Sequence, residues 1–299
     1  MKKTFSFLAV VCMAAAANAT ILRVNNSTGS SAPYTSVADA LAAAAEGDTI
    51  MVDASTQSYG NFLIDKRIVL LGPGFCLGKN NIIAEGAEAA TFDKIEIIAE
   101  ATVVKSVAAS SQITVAAHKV VVNRCFVKGP VYLRNASNSI ISQNRITGML
   151  EGYGSSYVEN YIQATNNLIS GRISCLHNSY IAYNTISSSI FSCKDCTVNN
   201  NWGTSDVFKN NSNDGNSFND NYVSTDYRGA ISNTNYGDGD AVALEVDEGL
   251  RSTYGAFAGD APYVLSGVPA GPIVQELIVP TTVEQGNKLQ VTIKVGIQQ

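Results

Sequence analysis

The sequence predicts an all-β chain wound as a parallel solenoid, and three observations lead there. A six-residue phrase, apolar–x–x–Asn–x–(apolar or small), returns as Val120–Cys125, Ile141–Ile146, Ala164–Ile169 and Ile181–Ile186, with weaker copies at Val198–Gly203 and Phe218–Val223. Its asparagines, Asn123, Asn144, Asn167, Asn184, Asn201 and Asn221, stand 21, 23, 17, 17 and 20 residues apart. That is the length of a unit that buries its apolar face only by stacking on its neighbours. Second, short β-branched runs recur with no hairpin turn signals between them. Third, charged residues make up 15% of the chain and hydrophobic ones 45%, a balance that suits repetitive β-structure better than helices rich in Glu and Lys.

Taken in chain order, Met1 to Ala19 reads as a secretory signal peptide. Lys2 and Lys3 form the charged start, Phe5 to Ala17 the apolar stretch and Ala17-Asn18-Ala19 the small-x-small cleavage site. Cys12 follows the bulky Val11, which disfavours lipid attachment there. The apolar stretch is too short to cross a bilayer, and no later run approaches the required length, so no transmembrane segment is expected. The mature chain is expected to be exported, to the periplasm, the cell surface or the medium. Losing Lys2 and Lys3 leaves 18 basic residues against 25 acidic ones, a net charge near −7. That balance argues against nucleic acid and anionic membranes as partners.

Ser36-Val-Ala-Asp39 resembles a capping box, and Val37, Leu41 and Ala44/Ala45 follow at helical spacing up to Gly47, predicting one short helix over Val37 to Glu46. Strands are expected at Thr49–Val52, Arg67–Leu71, Lys94–Ile98 and Gln112–Val115, and no second helix. Within the repeats the Asn is placed at a sharp, left-handed turn, with its amide stacking along the axis and its apolar neighbours in columns inside. The solenoid, with its N-terminal cap, is assigned to residues 20–260 and a C-terminal β appendage to 261–299. Val274–Val279 and the alternating Leu289–Ile297 supply that appendage's two strands.

A secretory signal, an amphipathic helix running into Glu46–Val52 and Asn-centred β repeats together resemble the right-handed parallel β-helix proteins of the pectate-lyase-like superfamily, over roughly residues 34 to 230. The stretches Gly255–Tyr263, Ser266–Pro269 and Thr281–Val295 are similar to the tails of secreted β-helix proteins from Gram-negative gut bacteria. The resemblance implies a right-handed coil. It leaves function open among lyases, hydrolases, esterases, adhesins and tailspikes.

The chemistry of the repeats narrows those classes. Between Ala101 and Ser205 the only acids are Glu151, Glu159 and Asp195, too few for the six to eight oxygens of a calcium cage, and no Asp pair suits glycoside hydrolysis. No metal site is therefore expected in the repeats, and His118 and His177 read as structural. The longest coil, between Asn144 and Asn167, carries the candidate ligand surface. There Glu151-Gly-Tyr153-Gly reads as a loop, Tyr157, Glu159 and Tyr161 share one strand face, and Arg172 and Ser174 follow on the next coil. Tyrosine faces and a carboxylate suit sugar rings and hydroxyls; the same tyrosines also suit any wet sheet. The expected partner is a polysaccharide or surface glycan bound by Tyr153, Tyr157, Glu159, Tyr161 and Arg172. The enzyme alternative makes Glu159 the acid/base and Arg172 the group that positions a uronate.

Three smaller features remain open. Arg124 and Arg145 both follow an Asn and would form a positive stripe or two solvated side chains. Cys125 is expected in the inward column of Ile146 and Ile169. Cys175, Cys193 and Cys196 read as core thiols, as a Cys175–Cys193 disulfide or, with His177, as a Cys₃His zinc site. Asp238 and Asp240 offer at most a structural calcium, and no other cofactor is expected.

Overall fold

A computed structural model describes residues 19–77, 89–152, 159–203, 207–208, 215–223, 248–269, 272–278 and 291–297. Residues 1–18, which include most of the expected signal peptide, and Tyr153, Tyr157, Asp238 and Asp240 lie outside the described residues. The chain is a right-handed parallel β-helix. Its first face is a sheet of ten parallel strands, from Ile21–Val24 and Thr49–Val52 through Ile140–Ser142 and Tyr180–Ala182 to Ser217–Asn219. A second face stacks Phe126–Val127, Arg145–Ile146, Leu168–Ile169, Thr185–Ile186, Trp202–Gly203 and Tyr222–Val223. A third stacks Val131–Leu133, Leu150–Gly152, Ile173–Ser174 and Ile190–Phe191. In the early coils Ala108–Val115 spans the second and third faces as one strand. Most strands fill their interior position with an aliphatic side chain; on the first face Leu22, Ile50, Leu70, Val104, Val122, Ile141, Ala164, Ile181 and Val198 are all buried, and the last strand places the partly buried Phe218 there. Burying such columns coil upon coil is what holds a solenoid together.

The corner between the first and second faces explains the repeat. The side-chain carbonyls of Asn144, Asn167, Asn184, Asn201 and Asn221 accept the backbone N–H of Cys125, Asn144, Asn167, Asn184 and Asn201, at 2.9–3.0 Å. Each side-chain amide donates back to a carbonyl of the preceding coil, from Val122, Ile141, Ala164, Ile181 and Val198 in turn. From Asn144 to Asn201 it also donates forward to the next asparagine. A position that must donate twice and accept along one column explains why it is an amide: a carboxylate has no donor and a hydroxyl only one.

Three sequence readings are corrected here. Val122 pairs with Ile141 and Asn123 with Ser142, so Asn123 lies two residues short of the ladder and Cys125 stands in the Asn column. Val127, not Cys125, shares the column of Ile146 and Ile169. The left-handed turn falls one residue before each ladder position, at Arg124 before Cys125 and at Gln143, Asn166, Tyr183, Asn200 and Asp220 before the asparagines, with φ between +49° and +56°. Arg124 and Arg145 therefore form no stripe. Arg124 occupies the turn, whereas Arg145 is 3% exposed on the second face with its guanidinium 5.3 Å from the Phe126 ring centre.

The turn residues have a second task. Residues 253–268 run back along the rod as a strap, and the turn column holds it. Asn200 Nδ2 donates to Thr253 O, Asn166 Nδ2 to Ala256 O and Ala258 O, Gln143 Nε2 to Ala261 O and Pro262 O, and Arg124 Nη1 to Val268 O. Phe75 N closes the far end on Ser266 O at 2.8 Å. Beneath the strap Phe75, Phe126 and Leu168 pack with Ala256 and Tyr263 in a cluster outside the main core.

The N-terminal helix covers Val37–Ala43, with Ser36 accepting from Asp39 N. It stops three residues earlier than expected because Ala44 is extended and Lys66 Nζ donates to the carbonyls of Leu41 and Ala44. Two further short helices, Glu248–Arg251 and the 3₁₀ turn Leu265–Gly267, were not foreseen. Pro272–Ile278 and Thr292–Ile297 pair antiparallel. No described helix is long and apolar enough to cross a membrane.

Asp48 fastens the cap. Its carboxylate accepts Thr20 N at 2.7 Å and Ala45 N at 2.8 Å, and these bonds, Thr20 first, hold its pKa below the ordinary carboxylate value. A depressed folded pKa contributes stability above the unfolded value and loses it as pH falls through the folded one. Stability of the native chain should therefore drop on acidification below the usual carboxylate range. Asp48→Asn should flatten that part of the profile, as read by urea unfolding at a series of pH values.

Candidate functional site

The third face carries the arrangement best suited to a ligand. Its strands alternate, so Val131, Leu133, Leu150 and Ile173 point inward and the residues between them point away from the core. Register places Thr114, Tyr132, Glu151, Ser174 and Phe191 in one row facing away from the core, in which Thr114 and Ser174 are covered by their neighbours, Tyr132 and Glu151 are half-buried and Phe191 is exposed. At about 4.8 Å per coil, Tyr132 and Phe191 stand about 14 Å apart along the axis.

Between those two rings sits an ion pair. Arg172 Nη2 donates to Glu151 Oε1 at 2.8 Å, with the side chains 40% and 22% exposed. Ser174 Oγ reaches the same oxygen at 3.4 Å. The Arg172 guanidinium lies 5.7 Å from the Phe191 ring centre, and that of Arg134 lies 5.9 Å from Tyr132. Arg172 Nε is buried with no hydrogen-bond partner among the described residues. The half-buried Cys175 follows Ser174; burial raises its pKa, the Glu151 charge adds to that, and Arg172 opposes it. Upstream the face continues in the Lys94–Glu96 pair, 2.8 Å, and the Gln112–Thr114 hydrogen bond, 3.0 Å.

The residues singled out from sequence divide between two places. Arg172 and Ser174 lie on the third face. Glu151, read as a loop residue, is on the strand Leu150–Gly152. Glu159 belongs to the short strand Glu159–Asn160, which pairs with Leu176–His177 in a separate two-stranded sheet. Tyr161 follows at a left-handed corner, φ +59°, 60% exposed. Tyr132, Arg134 and Phe191 were not anticipated. Their signal was present: Val131-Tyr132-Leu133 alternates, and Phe191 follows the inward Ile190.

Flat rings, a planar cation and a carboxylate spread along a rigid sheet suit a polyhydroxylated ligand. Rings cover C–H faces, and charged groups bond hydroxyls. Among the described residues no group of three or more His, Cys, Asp or Glu is arranged to hold a metal ion. Cys175, His177, Cys193 and Cys196 make no such group among the described residues, and the five described cysteines are unlinked in this structure. No family model, no curated protein and no solved structure matches the chain.

Proposed function

We propose that the protein is an exported rod that binds a polysaccharide or surface glycan along its third face, as a binding or adhesion module. The observation that carries this reading is the row Tyr132–Glu151–Ser174–Phe191 with Arg172 paired across it. It presents two aromatic surfaces and a bidentate-capable cation on a scaffold that needs no ordering on binding. The leader-like start and the likeness of residues 34 to 230 to the pectate-lyase-like superfamily support export and a carbohydrate partner. Arg172, already committed to Glu151, suits holding a hydroxyl or uronate better than turning over a bond.

The test is a panel of neutral, uronate-rich and sulfated polysaccharides, with and without calcium, reading affinity and new reducing or unsaturated ends together. Tyr132→Ala and Phe191→Ala should each weaken binding about three- to ten-fold, the worth of one aromatic contact. Arg172→Ala should act most on acidic glycans. Binding that ignores all three substitutions would refute the site. Product formation abolished by Glu159→Gln would replace the binding reading with a divergent lyase or glycosidase.

A further inference from the structure

Cys193 and Cys196 bracket the exposed corner Lys194–Asp195, where the chain turns from the third face back to the first. Ser192 and Asp195 adopt left-handed geometry, φ +52° and +53°, and this turns both cysteine side chains into the interior, 0% and 1% exposed. One coil earlier the equivalent positions are Leu176 and Ser179. His177 bridges Lys194, Lys194 N bonds Leu176 O, and Tyr180 pairs with Thr197. An aliphatic and a hydroxyl are thus replaced by two thiols side by side. They hydrogen-bond to one another. Both sulfurs also make long approaches to carbonyls: Cys196 to Leu176 O at 3.3 Å and Lys194 O at 3.4 Å, and Cys193 to Phe191 O at 3.6 Å. Asn216 pins the corner from the next coil, accepting Cys196 N and donating to Cys193 O, both at 2.8 Å.

From this juxtaposition we infer that Cys193 and Cys196 form a disulfide across the corner by exchange with an external disulfide. The pairing differs from the Cys175–Cys193 link that sequence spacing suggested. Cys175 N bonds Phe191 O, which puts Cys175 level with Ser192, on the half-buried side next to Glu151 and Arg172. In the reaction the Cys196 thiolate attacks R–S–S–R, forming a mixed disulfide and releasing one RS⁻. The Cys193 thiolate then attacks the Cys196 sulfur and releases the second RS⁻. Two protein thiols lose two electrons to the external disulfide, and their two protons leave with the two R–SH products. The order follows from the hydrogen bond between them: it favours the ionised Cys196, lowering its pKa, and raises that of Cys193. An exported chain meets disulfide oxidants of this class. The inference does not depend on glycan binding.

The full chain, unfolded in reductant and refolded in graded mixtures of reduced and oxidised glutathione, tests this directly. Thiols are quenched and alkylated under denaturing conditions, then mapped by peptide mass. Cys193 and Cys196 should lose alkylation together, with one midpoint and a linked peptide, while Cys125 stays alkylated. Cys125 is the internal control: it is fully buried, its pKa pushed up to about 12 by desolvation. Cys175→Ser should leave the link intact, and Cys196→Ser should leave Cys193 alkylatable or carrying glutathione. Both cysteines still alkylated at the oxidising end, or a link lost in Cys175→Ser, would overturn the assignment.

Discussion

Asn184→Ala should cost about 3–5 kcal/mol of folding stability, read from urea unfolding. The Asn184 side chain accepts from Asn167 N and Nδ2 and donates to Ala164 O, Ala182 O and Asn201 Oδ1. It is fully buried, so no water replaces what alanine removes. The buried Asn167 N–H is left without a partner, at about 1–3 kcal/mol, the Ala164 and Ala182 carbonyls each lose a donor, and the vacated space adds a cavity cost. Asn123→Ala is the control, because it carries the same apparent sequence signature. Asn123 is only half-buried and bonds Ser142 and Gln143 outside the ladder, so its loss should cost about 1 kcal/mol. Equal effects at the two positions would show that the ladder does not carry the corner.

Gly148→Ala should be nearly as damaging, for a different reason. Gly129, Gly148 and Gly171 stack one above another at the start of the third face, with Gly148 N on Gly129 O at 3.1 Å and Gly171 N on Gly148 O at 2.9 Å. A Cβ on Gly148 would lie 2.5 Å from the Gly129 carbonyl carbon and 2.6 Å from Pro130 N. Both are backbone atoms with no rotamer to yield, so the coils must part, at about 3 kcal/mol. The strand that begins there carries Glu151, so the ion pair to Arg172 should loosen as well. At Gly29 the difficulty is reversed: a Cβ meets nothing within 4 Å, but φ is +79°, and Gly29→Ala should cost about 1–2 kcal/mol. Unfolding midpoints of the two variants separate crowding from backbone geometry.

What the sequence made legible was whatever repeats. The Asn phrase located the ladder from Asn144 onward because five amides in one column impose the same residue at the same place. It misled at Asn123 because local resemblance carries no register; only pairing of Val122 with Ile141 reveals the two-residue offset. The strap was invisible since a segment bound mainly through its own carbonyls needs no apolar period. The side chains that read it, Arg124, Gln143, Asn166 and Asn200, looked like ordinary turn residues. At the candidate site Arg172 was legible as a cation near a long coil. Its alignment with Glu151, and the row from Tyr132 to Phe191, depend on how coils of 17 to 23 residues come into step, and spacing alone does not say that.

A stack of coils touching only its neighbours ought to behave like beads in a row, fraying from either end while the middle stays ordered. The strap changes that mathematics. Its contact from Arg124 to Val268 joins residues 144 positions apart, and the same segment touches coils from Phe75 to Asn200. The coils from Phe75 to Asn200 then share one fate, and that length of the rod melts as a unit. Such distant closure is slow to form, so the strap should dock last, as a latch on a rod already wound.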